Sequence, residues 1–536
     1  MCIAVFQANP TMGAVARNAA DLLATARSAA TQGVQLLVAP ELYLLGYPPD
    51  DLVQSPSILS AVRTELDKLA RELCGGPAVL VGAPIADVRG ILNCAILIAD
   101  GRWRVVAEKM VLPDTGVFDD PRVFVPGTGP GVIQINGQHI GVMVCEDCWH
   151  PEPLELMLSR TESPLSQIIV INASPFETGK LAQRHQVICD RIRRARVPFL
   201  YVNMIGGQDE LVFDGASFMM DTRGQVISQF PSFECGIFFS TAPYPVASPA
   251  DRWEDVYHAL MLGTRDYVQK NNFNQVCLGL SGGVDSALVA AVAVDALGAD
   301  AVIAMILPSV YTSSETLADA RAQAERLKIR AVESPITPMQ QSLEKSLQAI
   351  FNDTLHDATL QNLQSRVRGA MLMGFSNQTG ALLLTTGNKS EMAVGYATLY
   401  GDMNGGFNPI KDLYKTDVYA LCAWRNAHVP QHDIGIEAPL LLSILARAPS
   451  AELRPNQTDQ DTLPPYEILD DILRALIEGN GAPELVAKFD ADLVAIIHGW
   501  LDKNEYKRRQ SAPGVRVTIK AFGRDRRWPM THTTRQ

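Results

Sequence analysis

A chain of 536 residues exceeds one ordinary hydrophobic core, which sets two or more domains as the expectation. Apolar residues make up 47% and charged residues 19%, the balance of a soluble globular protein rather than a disordered one. A formal charge of −12 argues against nucleic acid or an anionic membrane as the main partner.

Short apolar strands and amphipathic helices alternate over the first part of the chain. CIAVFQA has no basic segment ahead of it and reads as a first strand, not a signal peptide. A helix is expected over 17–32, then VQLLVAP, AVLVGAP, ILNCAILIAD and RWRVVAEK as strands. HIGVMVC, QIIVINAS and VPFLYVNM follow, with GASFMMDTRGQVIS as a hairpin. Residues 240–252, STAPYPVASPADR, concentrate Pro, Ser and Ala without periodicity. We place a linker at 246–252, between a first domain at 1–245 and a second at 253–536.

Beyond the linker, a helix pattern reaches residue 271, QVCLGL reads as a strand feeding SGGVDS, and a helix and the strand AVIAMILP follow. Strand, glycine loop, helix and strand begin a doubly wound parallel sheet. The longest apolar stretch, 288–308, is interrupted by Asp295 and Asp300, so no membrane span is expected. SAELRPNQTDQDTLPPYE, from Ser450, is polar and Pro-punctuated, and reads as a long loop, mobile or a lid. From Leu501 to the end, ten Lys/Arg stand against three Asp/Glu, which suits basic residues ringing a dinucleotide site better than a nucleic-acid patch. Nine dispersed cysteines suit a reducing compartment, and we expect a cytoplasmic protein.

GVMVCEDCWH, residues 141–150, leaves three readings of Cys145 open. Cys145, Cys148 and His150 resemble half a zinc site, but the chain offers no second C-x-x-C or H-x₃₋₅-H to complete it. Cys145 at the end of an apolar strand is otherwise a nucleophile or a plain buried thiol.

LGLSGGVDSALVA, leaving a strand and opening a helix, places the N–H groups of Ser281 to Ser286 as an anion-binding nest. The loop is shorter than the Walker pattern and lacks its Lys-Ser/Thr, which suits attack on an α-phosphorus with pyrophosphate leaving. Asp285 is then placed to hold Mg²⁺.

These residues resemble the pyrophosphatase loop of the N-type ATP pyrophosphatases. LQNLQSRVRG, LLTTGNKSEMAVGYATLYGD, PIKDLYKTDVYAL, PSAELRPNQTDQDTLPPYEILD and KRRQSAPGVRV narrow the resemblance to the NAD synthetase family. The resemblance implies ATP binding by Gly279, Ser281, Gly282, Gly283, Asp285, Ser286, Thr386 and Lys415. It assigns Asp285 and Glu391 to Mg²⁺, and Asn362, Glu391 and Lys507 to deamido-NAD. Lys415 is expected to neutralise charge as adenylation proceeds.

The N-terminal half is similar to the carbon–nitrogen hydrolases of the nitrilase superfamily, whose fold is a four-layer αββα sandwich. The matches are Glu41 in LLVAPELYLLGYPPDDL, Lys109 in AEKMVLPDTGVFDD and Cys145 in GVMVCEDCW. Glu41 is then the base, Lys109 the cation and Cys145 the nucleophile, Cys148 is structural, and no zinc is expected. By the same resemblance Thr115, Ser174 and Lys180 bind glutamine, although Asp114 and Thr115 stand where the family has Asn-Tyr.

The combination implies amidation of deamido-NAD with ammonia from glutamine, moved through an internal passage, by a homo-oligomer of at least two chains. Three rivals remain: an ATP pyrophosphatase acting on another acceptor, an ammonia-only synthetase with an inactive first domain, and an amidase with a nucleotide-sensing domain.

Overall fold

The computed structural model of the chain describes residues 1–242, 244–246, 251–351, 354–430, 436–479 and 487–532. Of the linker expected at 246–252, residues 247–250 lie outside the described residues. The chain divides into two compact units, Met1–Ala250 and Asp251–Gln536.

In the first unit, β1 (Ile3–Gln7), β2 (Leu36–Val38), β3 (Ala78–Asp87), β4 (Gly90–Ala99) and β5 (Arg102–Glu108) follow chain order in one sheet, with β14 (Gly236–Phe239) antiparallel at the β1 edge. The second sheet runs β13 (Val226–Gln229), β12 (Phe218–Met220), β9 (Phe199–Asn203), β8 (Gln167–Asn172), β7 (Gln138–Val144), β6 (Gly131–Ile135). The expected 215–228 hairpin is the antiparallel pair β12–β13. A further hairpin, β10 (Ile205–Gln208) with β11 (Leu211–Asp214), was not legible in the sequence.

Strand alternation sorts side chains into three cores. Val5, Leu36, Val38 and Leu80 meet Val142, Val144, Ile171 and Val202 between the sheets. The opposite residues, Ala4, Leu37, Val79 and Val81, meet Leu22 and Ala26 of α1 (Val15–Ala30) and Leu66 and Leu69 of α2 (Pro56–Glu72). On the far side, Met143, Ile168, Val170 and Tyr201 meet Leu154 and Met157 of α3 (Pro151–Arg160) and Ile188 and Ile192 of α4 (Lys180–Ala195). The layers are therefore α, β, β, α. Because the central strands are buried on both faces, they read as continuous apolar runs.

The second unit opens with α5 (Arg252–Lys270), β15 (Val276–Gly279), α6 (Val284–Leu297), β16 (Val302–Ile306), α7 (Ser314–Arg326) and β17 (Arg330–Glu333). It continues through α8 (Thr337–Phe351), α9 (Asp357–Thr379), β18 (Leu382–Leu384), α10 (Lys389–Val394), α11 (Lys415–Ala427), α12 (Leu442–Ala446) and α13 (Tyr466–Ile477). Its sheet is wholly parallel in the order β17-β16-β15-β18. The order reverses between β15 and β18, so a crevice opens beyond the carboxyl ends of these two strands. Helix α6 is buried on nearly every side, and its Asp295 pairs with Arg425 at 2.8 and 3.1 Å. Among the described residues, no helix is long and apolar enough to cross a membrane.

The polar segment from Ser450 does not hang free as the expected mobile loop or lid. Thr316 Oγ1 donates to Glu452 at 2.8 Å, Gln364 Nε2 donates to the Leu453 carbonyl at 2.9 Å, and Tyr466 OH donates to Asp459 at 2.8 Å. Buried partners on α7, α9 and α13 fix it as a wall.

Candidate active sites

Three strand ends build the first site. Glu41 lies three residues past β2, Lys109 directly follows β5, and Cys145 directly follows β7. Cys145 starts a single 3-10 turn with φ 43°, in the left-handed region that a side chain rarely adopts. Gly82 of β3 crosses so close to the Glu41 turn that a Cβ there would lie 2.1 Å from the Leu42 nitrogen.

Glu41 is fully buried. Its Oε1 accepts from Lys109 Nζ and Asn93 Nδ2, both at 2.8 Å, and its Oε2 accepts from the Ala173 amide at 2.8 Å. Lys109 Nζ also donates to Asp120 at 2.7 Å, and Asp120 accepts from Tyr47 OH at 2.9 Å. Burial pulls the Lys109 pKa down, but the carboxylates of Asp120 and Glu41 outweigh it and hold the ammonium charged. Burial, then the charge of Glu41, pushes the Cys145 thiol up against the opposing pull of Lys109. At rest the thiol is protonated, and a base must take its proton as it attacks.

Ser174 is buried, and Arg184 fixes it through Nε to Oγ at 3.1 Å and Nη2 to the carbonyl at 2.8 Å. Arg184 has no exposed surface and is held by Asp214 at 2.9 and 2.8 Å. Lys180 pairs with Glu177 at 3.3 Å and lies 4.7 Å from the Trp149 ring centre. Thr115 is exposed, unlike Glu41, Lys109 and Cys145. Cys148 packs among Met143, Leu154 and Ile188, while His150 meets Glu146 at 3.2 Å.

The second site is a cavity of about 320 Å³ at the carboxyl ends of β15 and β18. Gly279, Ser281, Gly283, Asp285, Ser286, Thr386, Glu391 and Lys415 line it. Gly282, with φ +86°, lets the loop turn against α7: a Cβ there would lie 2.3 Å from the Thr316 carbonyl oxygen. Ser286 Oγ donates to the Gly283 carbonyl at 3.0 Å, and Ser281 Oγ accepts from the Gly283 amide at 3.2 Å.

Lys415 Nζ joins two carboxylates, Asp285 at 2.5 Å and Glu391 at 3.1 Å. Asp285 also accepts from Asn388 at 2.8 Å, and Asn388 caps α10 through the Glu391 amide. Burial raises the Glu391 pKa to about 8, with Lys415 opposing and Asp285 adding to the rise. Two carboxylates beside a phosphate loop fit Mg²⁺, which takes one or two carboxylates and leaves its other positions to phosphate and water oxygens.

Asn362 and Lys507 are not brought to the cavity lining. Both meet the segment after α10: Thr398 Oγ1 donates to Asn362 at 2.9 Å, and Lys507 Nζ donates to the Gly395 and Ala397 carbonyls at 2.7 and 2.8 Å. The sequence reading also missed Asp120, Arg184, Arg368 and Arg447, of which the last two line the cavity. No local pattern marks Asp120, Arg184 or Arg447; Arg368 lies in the LQNLQSRVRG stretch but was not singled out there.

Site and fold together define the class: a carbon–nitrogen hydrolase sandwich with a Glu-Lys-Cys centre, in one chain with a nucleotide-binding α/β unit. Residues 2–244 match the carbon-nitrogen hydrolase family, and residues 256–511 match the NAD synthase family. A glutamine-dependent NAD(+) synthetase of Rhodobacter capsulatus is 43% identical, covering 99% of this chain and 98% of the relative. One from Thermotoga maritima is 41% identical over the same shares. The solved structure of the Acinetobacter baumannii enzyme in complex with ADP has a TM-score of 0.78 at 36% identity, covering 99% of this chain and 98% of that one. The chain belongs to the glutamine-dependent NAD(+) synthetase family.

Proposed function

We propose that this chain amidates deamido-NAD to NAD with ATP and with ammonia drawn from glutamine, releasing AMP, pyrophosphate and glutamate. The observation that carries the reading is the coexistence of two chemistries in one chain: a buried Glu41–Lys109–Cys145 centre and a lysine-free phosphate loop opening on a cavity. We assign the glutaminase to residues 1–245 and the synthetase to 253–536, joined by 246–252.

In the first unit Glu41 takes the Cys145 proton as the sulfur bonds to the side-chain amide carbon of glutamine. Lys109 stabilises the oxyanion. Ammonia leaves with a proton returned by Glu41, and water, deprotonated by Glu41, cleaves the thioester to glutamate. Ser174, Lys180 and Thr115 serve as glutamine contacts. The buried network around Glu41 tells against a first unit kept only as an inactive module, since burying charge without use costs stability.

In the second unit the N–H groups of Ser281 to Ser286 hold the phosphates, with Gly279 and Thr386 beside them. The nicotinate carboxylate of deamido-NAD attacks the α-phosphorus and pyrophosphate leaves; ammonia then displaces AMP. Lys415 neutralises the developing charge. Asp285 and Glu391 would hold Mg²⁺, which offsets phosphate charge when bound. Asn362, Glu391 and Lys507 orient deamido-NAD, the first and last by shaping the turn after α10. No zinc, nucleic acid or membrane enters this reading, and we take the protein to be cytoplasmic and at least dimeric.

The test is NAD formation from deamido-NAD, ATP and Mg²⁺ with either glutamine or ammonium. Cys145→Ala should abolish the glutamine-driven rate and leave the ammonium-driven rate. Persistence of both rates would remove Cys145 from the chemistry, and a wild type inactive with either donor would remove deamido-NAD as the acceptor.

A further inference from the structure

A phosphate loop without a lysine must find positive charge elsewhere, because a departing pyrophosphate gathers negative charge on the oxygen that leaves the α-phosphorus. Among the described residues, three cations line the cavity: Arg368, Lys415 and Arg447. Lys415 meets the loop at its helix end, through Asp285. Arg368 gives its Nε to the Leu307 carbonyl at 3.0 Å. Arg447 meets the loop at its glycine end, with Nη1 at 3.5 Å from the Gly282 carbonyl oxygen.

The position of Arg447 is built. It caps the C-terminus of α12, just before the wall segment, and its Nη1 donates to Thr316 Oγ1 at 2.9 Å. Its other terminal nitrogen pairs with Asp319, which also accepts from Ser443 at 2.7 Å. Thr316 in turn is the residue whose carbonyl leaves no room for a Cβ on Gly282. Loop, Thr316, Asp319 and guanidinium are therefore linked by hydrogen bonds that hold the arginine beside the glycine end of the loop.

We propose that Arg447 is a binding residue for the β- and γ-phosphates of ATP and for the pyrophosphate they become. The proposal rests on the synthetase reading above. As the acceptor carboxylate oxygen bonds to the α-phosphorus, the bond from that phosphorus to the bridging oxygen breaks. The bridging oxygen keeps the electron pair, and no proton or redox equivalent moves. Arg447 meets that charge with the N–H groups that Thr316, Gly282 and Asp319 leave free on its planar guanidinium. Lys415 and Arg447 thus flank the loop from its two ends, dividing between them what the lysine of a Walker loop does alone.

The test uses the full chain and three probes: AMP, inorganic pyrophosphate with Mg²⁺, and ATP with Mg²⁺, each titrated calorimetrically. Arg447→Met should weaken pyrophosphate and ATP by at least about tenfold while AMP affinity stays within about twofold, the signature of one lost charge-assisted contact. Arg447→Lys, which keeps the charge but not the fork, should recover part of the loss. The ammonium-driven rate should fall with Arg447→Met. Equal losses for AMP and pyrophosphate, or no loss for either, would make Arg447 a stitch between α7 and α12 and overturn the proposal. A wild type that binds neither ATP nor pyrophosphate would overturn the synthetase reading, and this assignment with it.

Discussion

Asp147 shows how much a single buried carboxyl can set. Its Oδ1 accepts the amides of Met110 and Val111 at 2.9 and 2.8 Å, tying the residues after Lys109 to the turn that carries Cys145. Its Oδ2 is buried without a hydrogen-bond partner, and burial raises its pKa to about 7 against the pull of the two amides. An unfolded Asp titrates near ~3.9, so between about pH 4 and pH 7 the folded chain holds a proton that the unfolded chain has released. Stability from this group is therefore full at the acid end, falls as pH rises through the window, and levels off above 7. The gap between the folded and unfolded values corresponds to roughly 4 kcal/mol as an upper bound. Asp147→Asn keeps an acceptor for both amides and cannot ionise, so its stability should vary less with pH. Urea unfolding of the first unit, followed at pH 5 and pH 7, should give a smaller difference in the mutant; parallel differences would place the proton elsewhere. Asp147 was not legible, nor was Asp120, because each acts through residues distant in sequence. Glu41, Lys109 and Cys145 were legible as candidates because each sits in its own distinctive local stretch.

At the scale of elements, the sequence gives up what periodicity or a turn encodes and conceals what close approach encodes. Helix α1 was expected at 17–32 and forms at Val15–Ala30, ending early because Thr31 to Gly33 turn the chain back toward β2. The β10–β11 hairpin escaped because Gly206 and Gly207 break the strand pattern of its first arm. Gly82 lies inside strand β3, and its missing side chain is what allows the strand to pass the Glu41 turn. Gly82→Ala should therefore displace Glu41 from Lys109 and Asn93. We expect glutamine-driven synthesis to fall at least about 100-fold, the scale of a lost general base, with ammonium-driven synthesis within about twofold. An unchanged glutamine KM and kcat would mean the turn absorbs the methyl group.

Across the whole molecule, each chemistry is built inside its own unit. The αββα sandwich encloses Glu41, Lys109 and Cys145 within cores made only from residues of the first unit. The phosphate loop and Lys415 belong to the second unit, whose parallel sheet and helices supply separate clusters. The sequence signal for a division was the composition of residues 240–252, and the boundary between the two compact units falls in that stretch. The placing of Asn362 and Lys507 was not, because a motif states which residues recur and not which turn they brace. A division of this kind predicts lesions that separate by unit. Lys415→Met removes the cation shared by Asp285 and Glu391, and should lower both glutamine- and ammonium-driven NAD formation by at least about 100-fold, the cost of a charge aimed at the transition state. Glutamate release from glutamine, measured in the same samples, should continue, since Lys109 is held by Glu41 and Asp120 while Lys415 is held by Asp285 and Glu391. Cys145→Ala should give the opposite pattern. If Lys415→Met also stops glutamate release, the first centre depends on the state of the second, and the two chemistries are coupled more tightly than their separate cores require.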